Sequence, residues 1–388
     1  MSLSITQTPA LVSLAQSPII FTIAESDANL LTSSSFQYVG NLYYFTGSLT
    51  NSSSAANYVI NKYPNTSNVG IFDLNRIINS TLTDLAIVNT SNVEYFAVDF
   101  YTQYYNGTAY VTGSHLKSST YKALDGYGIF QEAIGQAVYN KTPHWPLMTD
   151  GPVTQSAFTT NYGTAGVYVG DAGSTAPTKI VYTSNLGSAD YTVSATTSTS
   201  GQIAQYPIGP SQSGFPLSTT GLTYYTTQAY NGGTPLGTPI LYTIDCIQKY
   251  PNIRIKWKNR YGQFDYFNFY MVNRQSFETE KRTYQPQLGS WESSTLSYQN
   301  YDSGILNYIV DSQQSIQVNT FWIPEAYNDI LKELLVTDEA YWVYDEPNAL
   351  VRPITITNKN ITFKTGVVDG LIQYQFDFNY GQAYKLII

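Results

Sequence analysis

The chain reads as a mainly β protein with an α+β C-terminal part: tandem β-sandwich modules followed by a small helix-on-sheet module. Three observations predict this. Short runs of β-branched and aromatic residues recur along the sequence, each bounded by Ser, Asn, Asp or Gly clusters. Tyrosine supplies 36 of the 388 residues, and its ring suits a pleated, half-buried surface while its hydroxyl reaches a partner at the edge. One segment near the C-terminus has helical rather than strand periodicity.

Four segments follow in order. Residues 1–117 predict an N-terminal β-sandwich. Its strands are 18–23 (PIIFTI), 36–46 (FQYVGNLYYFT) and 93–105 (VEYFAVDFYTQYY), and 69–82 (VGIFDLNRIINSTL) fits a short amphipathic helix between them. Residues 118–177 read as a linker or contact arm. Residues 123–136 are compatible with a short helix or an extended arm, and the Gly-, Thr- and Ser-rich stretch 150–173 reads as loop.

Residues 178–287 predict a central β-sandwich with a hairpin at 253–272. In its first arm Ile253, Ile255 and Trp257 alternate with Arg254, Lys256 and Lys258, so the basic residues are expected on a solvated or intersubunit face. Asn259-Arg260-Tyr261-Gly262 makes the turn. Gly262 can take positive φ, Asn259 can bond the turn backbone, and Asp265 can accept from Arg260 or nearby amides. Trp257 anchors the apolar side. Phe267 belongs to a second arm with rings on both faces, which fits packing between two layers or against a neighbouring subunit.

Residues 288–388 predict the α+β module. In 321–336 (FWIPEAYNDILKELLV), Pro324 stands at a helix start and acids fill the first turns. Ile323, Tyr327, Ile330, Leu331, Leu334 and Leu335 form one apolar stripe, expected to cover the sheet made by the strands that follow. In 371–380 polar residues alternate with Ile372, Tyr374, Phe376, Phe378 and Tyr380, a strand with one buried face.

Composition bounds the function. Charged residues are 12% of the chain, about half the usual share of about 25%. Such a surface suits a chain that covers itself with partners. A net charge of −8 argues against a phosphate-tracking nucleic-acid binder. The single cysteine, Cys246, excludes an intramolecular disulfide and is expected to be a buried small hydrophobe. The first 23 residues have neither a basic leader nor an unbroken apolar run, so no signal peptide, membrane span or membrane partner is expected.

No chemistry-bearing motif stands out. His115 and His144 are the two histidines, without close acids in sequence, so no metal and no cofactor are expected. The acid- and Asn-containing stretch 338–348 does not have the spacing of a calcium loop. GxSxG, GxxxxGK[ST] and GxGxxG are absent. Asp99, Asp265, Asp369 and Asp377 are the candidate carboxylates for a glycosidase pair, and solvation of a sheet edge or pairing with Arg or Lys is the competing reading. No enzyme activity is expected.

Three stretches carry a resemblance. SPIIFTIAESD, FQYVGNLYYFTG and NVGIFDLNRIINSTL, then YPIGP and IDCIQKYPNIRIKWKNRYGQFDYFNF with its W-x-N-R-x-G-x-x-D-x-F hairpin, then TFWIPEAYNDILKELLVTDEAYWV and VRPITITNKNITFKT, are similar to modules of structural proteins from tailed phages of Bacteroidetes hosts, including crAss-like phages. The resemblance covers most of the chain except about 118–177, and its motifs are structural. It implies a virion component of the tail or neck, assembled in the host cytoplasm. Its partners would be copies of itself in a cyclic oligomer and other virion proteins, around a DNA passage it does not read by sequence. The linker near 120–175 and the two termini are the expected contact arms. A glycan- or receptor-binding tail-tip protein and a capsid decoration protein are the alternatives.

Overall fold

A computed structural model describes residues 3–46, 55–82, 93–129, 142–170, 176–193, 202–246, 250–289, 292, 294–345, 350–366 and 372–381. Among the described residues the protein is mainly β, with 52% strand and 8% helix. It divides into two compact units. One comprises Met1–Cys246, Trp257–Tyr266 and Ala326–Thr337; the other comprises Ile247–Lys256, Phe267–Glu325 and Asp338–Ile388. Among the described residues no helix is long and apolar enough to cross a membrane.

The first unit contains two sandwiches. In the N-terminal one, β1 (Leu3–Gln7), β3 (Ile20–Glu25) and β6 (Val69–Asp73) form a three-stranded sheet. It faces a larger sheet of β2 (Val12–Leu14), β10 (Tyr121–Leu124), β7 (Val93–Tyr105), β4 (Ser34–Thr46) and β5 (Tyr58–Lys62), with β8 (Tyr110–Thr112) and β9 (Leu116–Lys117) also on β7. Alternation puts Phe21, Ile23 and Phe72 of one sheet against Tyr38, Leu42, Phe96, Val98 and Phe100 of the other, all fully buried. Phe21 meets Phe100 at 5.4 Å and Tyr121 edge-on at 5.3 Å, ring pairs that add about 0.5–1.5 kcal/mol each to the burial of their area. A four-residue helical turn, α1 (Ala28–Leu31), is capped by Asp27, which accepts from the Asn29 N–H.

The segment 69–82 is not helical throughout. Its first part is β6, and only α2 (Asn75–Thr81) is helix. The Asp73 carboxylate makes the switch by accepting from the N–H groups of Asn75 and Ile19.

The second sandwich sets a five-stranded sheet against a two-stranded one. The former joins β11 (Thr154–Ala157), β17 (Thr234–Ile244), β16 (Tyr224–Asn231), β13 (Lys179–Ser184) and β14 (Gly187–Thr192); the latter pairs β12 (Thr164–Gly170) with β15 (Gln202–Pro207). Thus 150–170 is not a linker, and 171–173 lie outside the described residues. The former supplies β11 and β12, and Val167 is fully buried. Small residues there fit because the backbone runs close to its neighbours: a side chain on Gly166 would collide with Gln263. Of residues 123–136, 123–124 belong to β10, and 130–136 lie outside the described residues.

Tyrosine is core material here to a greater extent than an interface role requires. Tyr38, Tyr95, Tyr182, Tyr206, Tyr225 and Tyr261 are all fully buried. Tyr182 and Tyr225 donate to the carbonyls of Pro207 and Ile208, so a large ring is buried without orphaning its hydroxyl. Cys246, in contrast, is exposed, just past the end of β17.

The second unit holds most of a seven-stranded sheet in the order β19 (Phe264–Phe269), β18 (Ile253–Lys258), β22 (Ala340–Asp345), β23 (Leu350–Ile356), β24 (Gln375–Tyr380), β21 (Leu306–Asn319), β20 (Arg274–Tyr284), of which Trp257–Lys258 and Phe264–Tyr266 group with the first unit. Phe376, Phe378 and Tyr380 alternate inward on β24, and Phe269 meets Phe376 at 5.6 Å. The segment 338–348 is largely β22, and 346–348 lie outside the described residues.

The C-terminal helix is shorter than its periodicity suggests: a 3-10 turn at Glu325–Tyr327 and then α3 (Asn328–Val336). Ile323 precedes it, bridging Ile372. Tyr327, Ile330, Leu331 and Leu334 are buried and Leu335 is half-buried. The helix does not belong with the strands on either side of it. Residues 326–337 group with the first unit, where Tyr327 bonds the Ser156 backbone and Thr337 Oγ1 donates to the Lys258 carbonyl at 2.8 Å.

Gly262 has φ +73°, and a Cβ there would lie 2.0 Å from the Asp125 carbonyl oxygen. Gly107 has φ +95° with open space around it. The Gly107→Ala change should therefore cost only the left-handed backbone penalty of about 1–2 kcal/mol. Gly262→Ala should cost clearly more, because backbone must also move. Equal losses for the two in denaturant unfolding would contradict this.

Candidate functional site

The turn Trp257–Tyr266 lies in the first unit and is buried, although it is rich in polar atoms. Asn259 organises it. Its Oδ1 accepts from the N–H groups of Tyr261 and Gln263 at 3.0 Å, and its Nδ2 donates to the Met148 carbonyl and to Asp265 Oδ2, both at 2.9 Å. Asp265 Oδ1 accepts from Thr149 Oγ1 at 2.8 Å. Asp265 is thus held by Asn259 and Thr149. Trp257 is fully buried and Phe267, at 4% exposure, nearly so.

Arg260 pairs with carboxylates instead of facing solvent. Its Nε lies on Asp150 Oδ2 and 3.9 Å from Glu333 Oε1, its Nη2 donates to Tyr261 OH at 2.6 Å, and Tyr261 OH donates to Asp150 Oδ1 at 2.8 Å. Lys258 Nζ pairs with Asp125. In the second unit Arg254 Nη1 donates to Asn268 Oδ1 at 2.9 Å. The expected solvated basic face does not exist: Arg254, Lys256, Lys258 and Arg260 are 5–8% exposed. Every residue of β18 is buried, so both of its faces are covered, and buried cations demand partners.

Burial sets the protonation of this region. It lifts the Asp265 carboxyl to about 7, against the pull of hydrogen bonds from Asn259 and Thr149. Glu333 is held well above the usual carboxylate range, first by burial and then by the negative charge of Asp265 and Asp150; the Arg260 N–H pulls the other way. Burial alone raises Glu94 to about 7, and burial lowers Lys256 to about 8 despite the attraction of Glu339.

Beside the cluster a cleft of about 930 Å³ opens in the first unit. Asp150, Arg260 and Glu333 line it, with Pro143, His144, Pro152 and Val153 on one side and Ala326, Asp329 and Lys332 from the helix segment on the other. His144 is pinned, its Nδ1 2.8 Å from the Thr238 carbonyl and its Nε2 2.9 Å from that of Gly151. The cleft's charged groups are already engaged with one another. Glycoside hydrolysis places two carboxyls about 5–10 Å apart with the substrate or water between them, whereas Asp150 and Glu333 both lie on the Arg260 guanidinium. The other sequence candidates are dispersed. Asp99 pairs with His115 at 2.7 Å, Asp377 accepts from Gln317 at 2.9 Å, and Asp369 lies outside the described residues. Among the described residues no group of three His, Cys, Asp or Glu side chains is placed to hold a metal.

Sequence reading missed Asp150, Thr149, Asp125 and Glu333. Glu333 left a signal. It sits three residues after Ile330 and next to Leu334 on the apolar stripe, where an acid needs a buried partner. The other three left none, because their partners lie over a hundred residues away.

The second feature is a ribbon in the second unit. β24 covers β21 only at Ser315–Asn319. Beyond that, β20 and β21 continue as two strands alone, with Phe277 opposite Gln314 and Tyr284 opposite Leu306. At about 3.4 Å per residue this is an extension of about 27 Å. Every residue of β20 is exposed. Phe277, Tyr284, Leu288, Leu296, Tyr298, Tyr301, Ile305, Leu306 and Tyr308 are 40–83% exposed along the ribbon and its connecting loop. Of the segment 120–175, Tyr121–Leu124, Thr154–Ala157 and Thr164–Gly170 are strands packed in the sandwiches, whereas the ribbon projects exposed apolar side chains.

Two outcomes follow from the charged cluster. Arg260→Ala should destabilise the protein by about 3–5 kcal/mol, since it strands buried acids, while Lys179→Ala at the half-exposed Lys179–Asp190 pair should cost under about 1 kcal/mol; denaturant unfolding compares them. The pH dependence has a definite sign. The raised carboxyls of Asp265, Glu333 and Glu94 keep protons in the folded state that the unfolded chain releases above about pH 4. The stabilisation from Asp265 and Glu94 is complete below that point and is lost as pH rises through about 7, and the raised Glu333 carboxyl acts in the same direction. The thermal midpoint should rise from pH 8 to pH 5.5, and Asp265→Asn should flatten that slope.

No protein-family model matches this chain, and no curated protein is significantly similar to it in sequence.

Proposed function

We propose that this chain is a structural component of a bacteriophage tail or neck, assembling as a ring that connects neighbouring virion proteins around the DNA passage. The ribbon of β20 and β21 carries the reading. A two-stranded ribbon is marginal in water by itself, and a run of exposed tyrosines, leucines and isoleucines is costly unless another surface covers it. The internally neutralised cleft supports a scaffold over a reaction centre. A net charge of −8 suits a wall past which DNA slides without being gripped. The resemblance to phage structural modules supplies the virion setting.

A second reading has its own observation. On the N-terminal sandwich the His115 ring lies 4.6 Å from that of Tyr101, His115 Nδ1 is 2.7 Å from Asp99, and Lys117 sits over Tyr43 at 5.9 Å. Rings beside a carboxylate suit a sugar, so a glycan-binding tail-tip protein is the alternative.

Replacing 285–305 by a two-residue Asn-Gly turn tests the first reading. The shortened protein should fold with unchanged near-ultraviolet dichroism but fail to enter particles, as seen by electron microscopy and protein analysis of purified virions. Normal incorporation, or complete particles that lack the protein, would refute the role. A glycan array that lights up with the wild type and goes dark with Tyr101→Ala would favour the alternative.

A further inference from the structure

β20 is the last strand of its sheet, so one of its backbone edges carries N–H and C=O groups that no strand in this sheet pairs. We propose that this edge is closed by β20 of a second copy, in an antiparallel two-fold contact that places Phe277 opposite Phe277 and Arg274 opposite Glu280. The inference rests on the ribbon being a contact surface, and does not need the virion setting.

Geometry and charge select the register. Opposed residues in an antiparallel pair share a face, so a two-fold axis must run perpendicular to the sheet and place one residue opposite its own copy. Centring on Glu278 sets Glu278 against itself and Arg274 against Arg282. Centring on Thr279 sets Glu278 against Glu280. Centring on Glu280 or Lys281 opposes that charge to itself. Centring on Ser276 opposes no like charges but pairs only Arg274–Glu278; centring on Phe277 gives the longest pairing within the strand that opposes no like charges, Arg274–Glu280, matches Arg274 with Glu280 twice, and buries the exposed phenylalanine on its mate.

The fold holds a second reason for this register. Glu280 is paired across the ribbon with Asp311, two acids directly opposite on one face. The cation near them in the chain is Arg282, 3.8 Å from Glu280 with both side chains well exposed. The proposed contact brings Arg274 of the second copy onto that acidic pair. Being isologous, the contact makes pairs of chains. Combined with a cyclic contact elsewhere, it would join two rings face to face.

A charge exchange in the full-length protein tests this. Mass by sedimentation velocity should show self-association of the wild type at about 50 μM. Arg274→Glu alone and Glu280→Arg alone should each raise the dissociation constant at least about tenfold by opposing like charges twice, and the two together should restore it to within about threefold. In a Cys246→Ser background, Phe277→Cys should form an intermolecular disulfide on mild oxidation while Thr283→Cys should not. The variants alter exposed side chains, and an unchanged thermal midpoint confirms folding. A monomeric wild type, single variants that associate as the wild type does, or no rescue in the double variant would overturn the pairing. These results are separable from the virion role: a protein that occupies virions but fails the exchange loses only this contact, whereas one that passes the exchange but is missing from virions loses the structural assignment.

Discussion

Burial of a polar turn is the constraint on which the first unit depends. Residues 257–266 carry an amide, a guanidinium, a carboxyl, a phenol and a full set of backbone groups into a region with almost no solvent. Each unmet group would cost about 1–3 kcal/mol. Asn259 meets the turn from within, and partners from three distant segments meet most of the rest, the buried Trp257 Nε1 excepted. Asp125 and Tyr127 come from the end of β10, Met148 to Asp150 from the segment before β11, and Glu333 and Thr337 from α3. The turn therefore fastens both sandwiches and the helix through directional bonds, which apolar packing alone would not orient.

The same arrangement explains why the unit tolerates several carboxyls around one guanidinium. Arg260 pairs with both Asp150 and Glu333, and burial pushes the Glu333 and Asp265 carboxyls towards their neutral forms, so the cluster carries less charge than a count of acids suggests. Internal compensation leaves little of this chemistry free for a substrate, although a cleft lies beside it.

The second unit follows a different logic. Its sheet has a ring-packed interior around Phe269, Phe376 and Phe378, but two of its strands run on beyond the cover of their neighbours. Low charge and many tyrosines therefore have two separate causes. In the sandwiches tyrosines fill cores and bond their hydroxyls to carbonyls; on the ribbon they stand in solvent. Of the ten tyrosines among the exposed large apolar residues, four lie between Tyr284 and Tyr308.

By itself the sequence determined what is local: the mainly β class, the alternating strand that ends at Tyr380, the hairpin with positive φ at Gly262, and the apolar stripe of the C-terminal helix. These depend on side-chain period and backbone sterics, which neighbouring residues carry. Tertiary structure decided the rest. It buried Arg254, Lys256, Lys258 and Arg260, whose alternation looked solvated, because what packs on each face of a strand comes from segments distant in sequence. It made strands of 154–157 and 164–170 and moved α3 out of the module that surrounds it in sequence. It also gathered Thr149, Asp150, Asp265 and Glu333 around one turn, because electrostatic partners are chosen by proximity in space, and separations of over a hundred residues leave no mark on the local pattern.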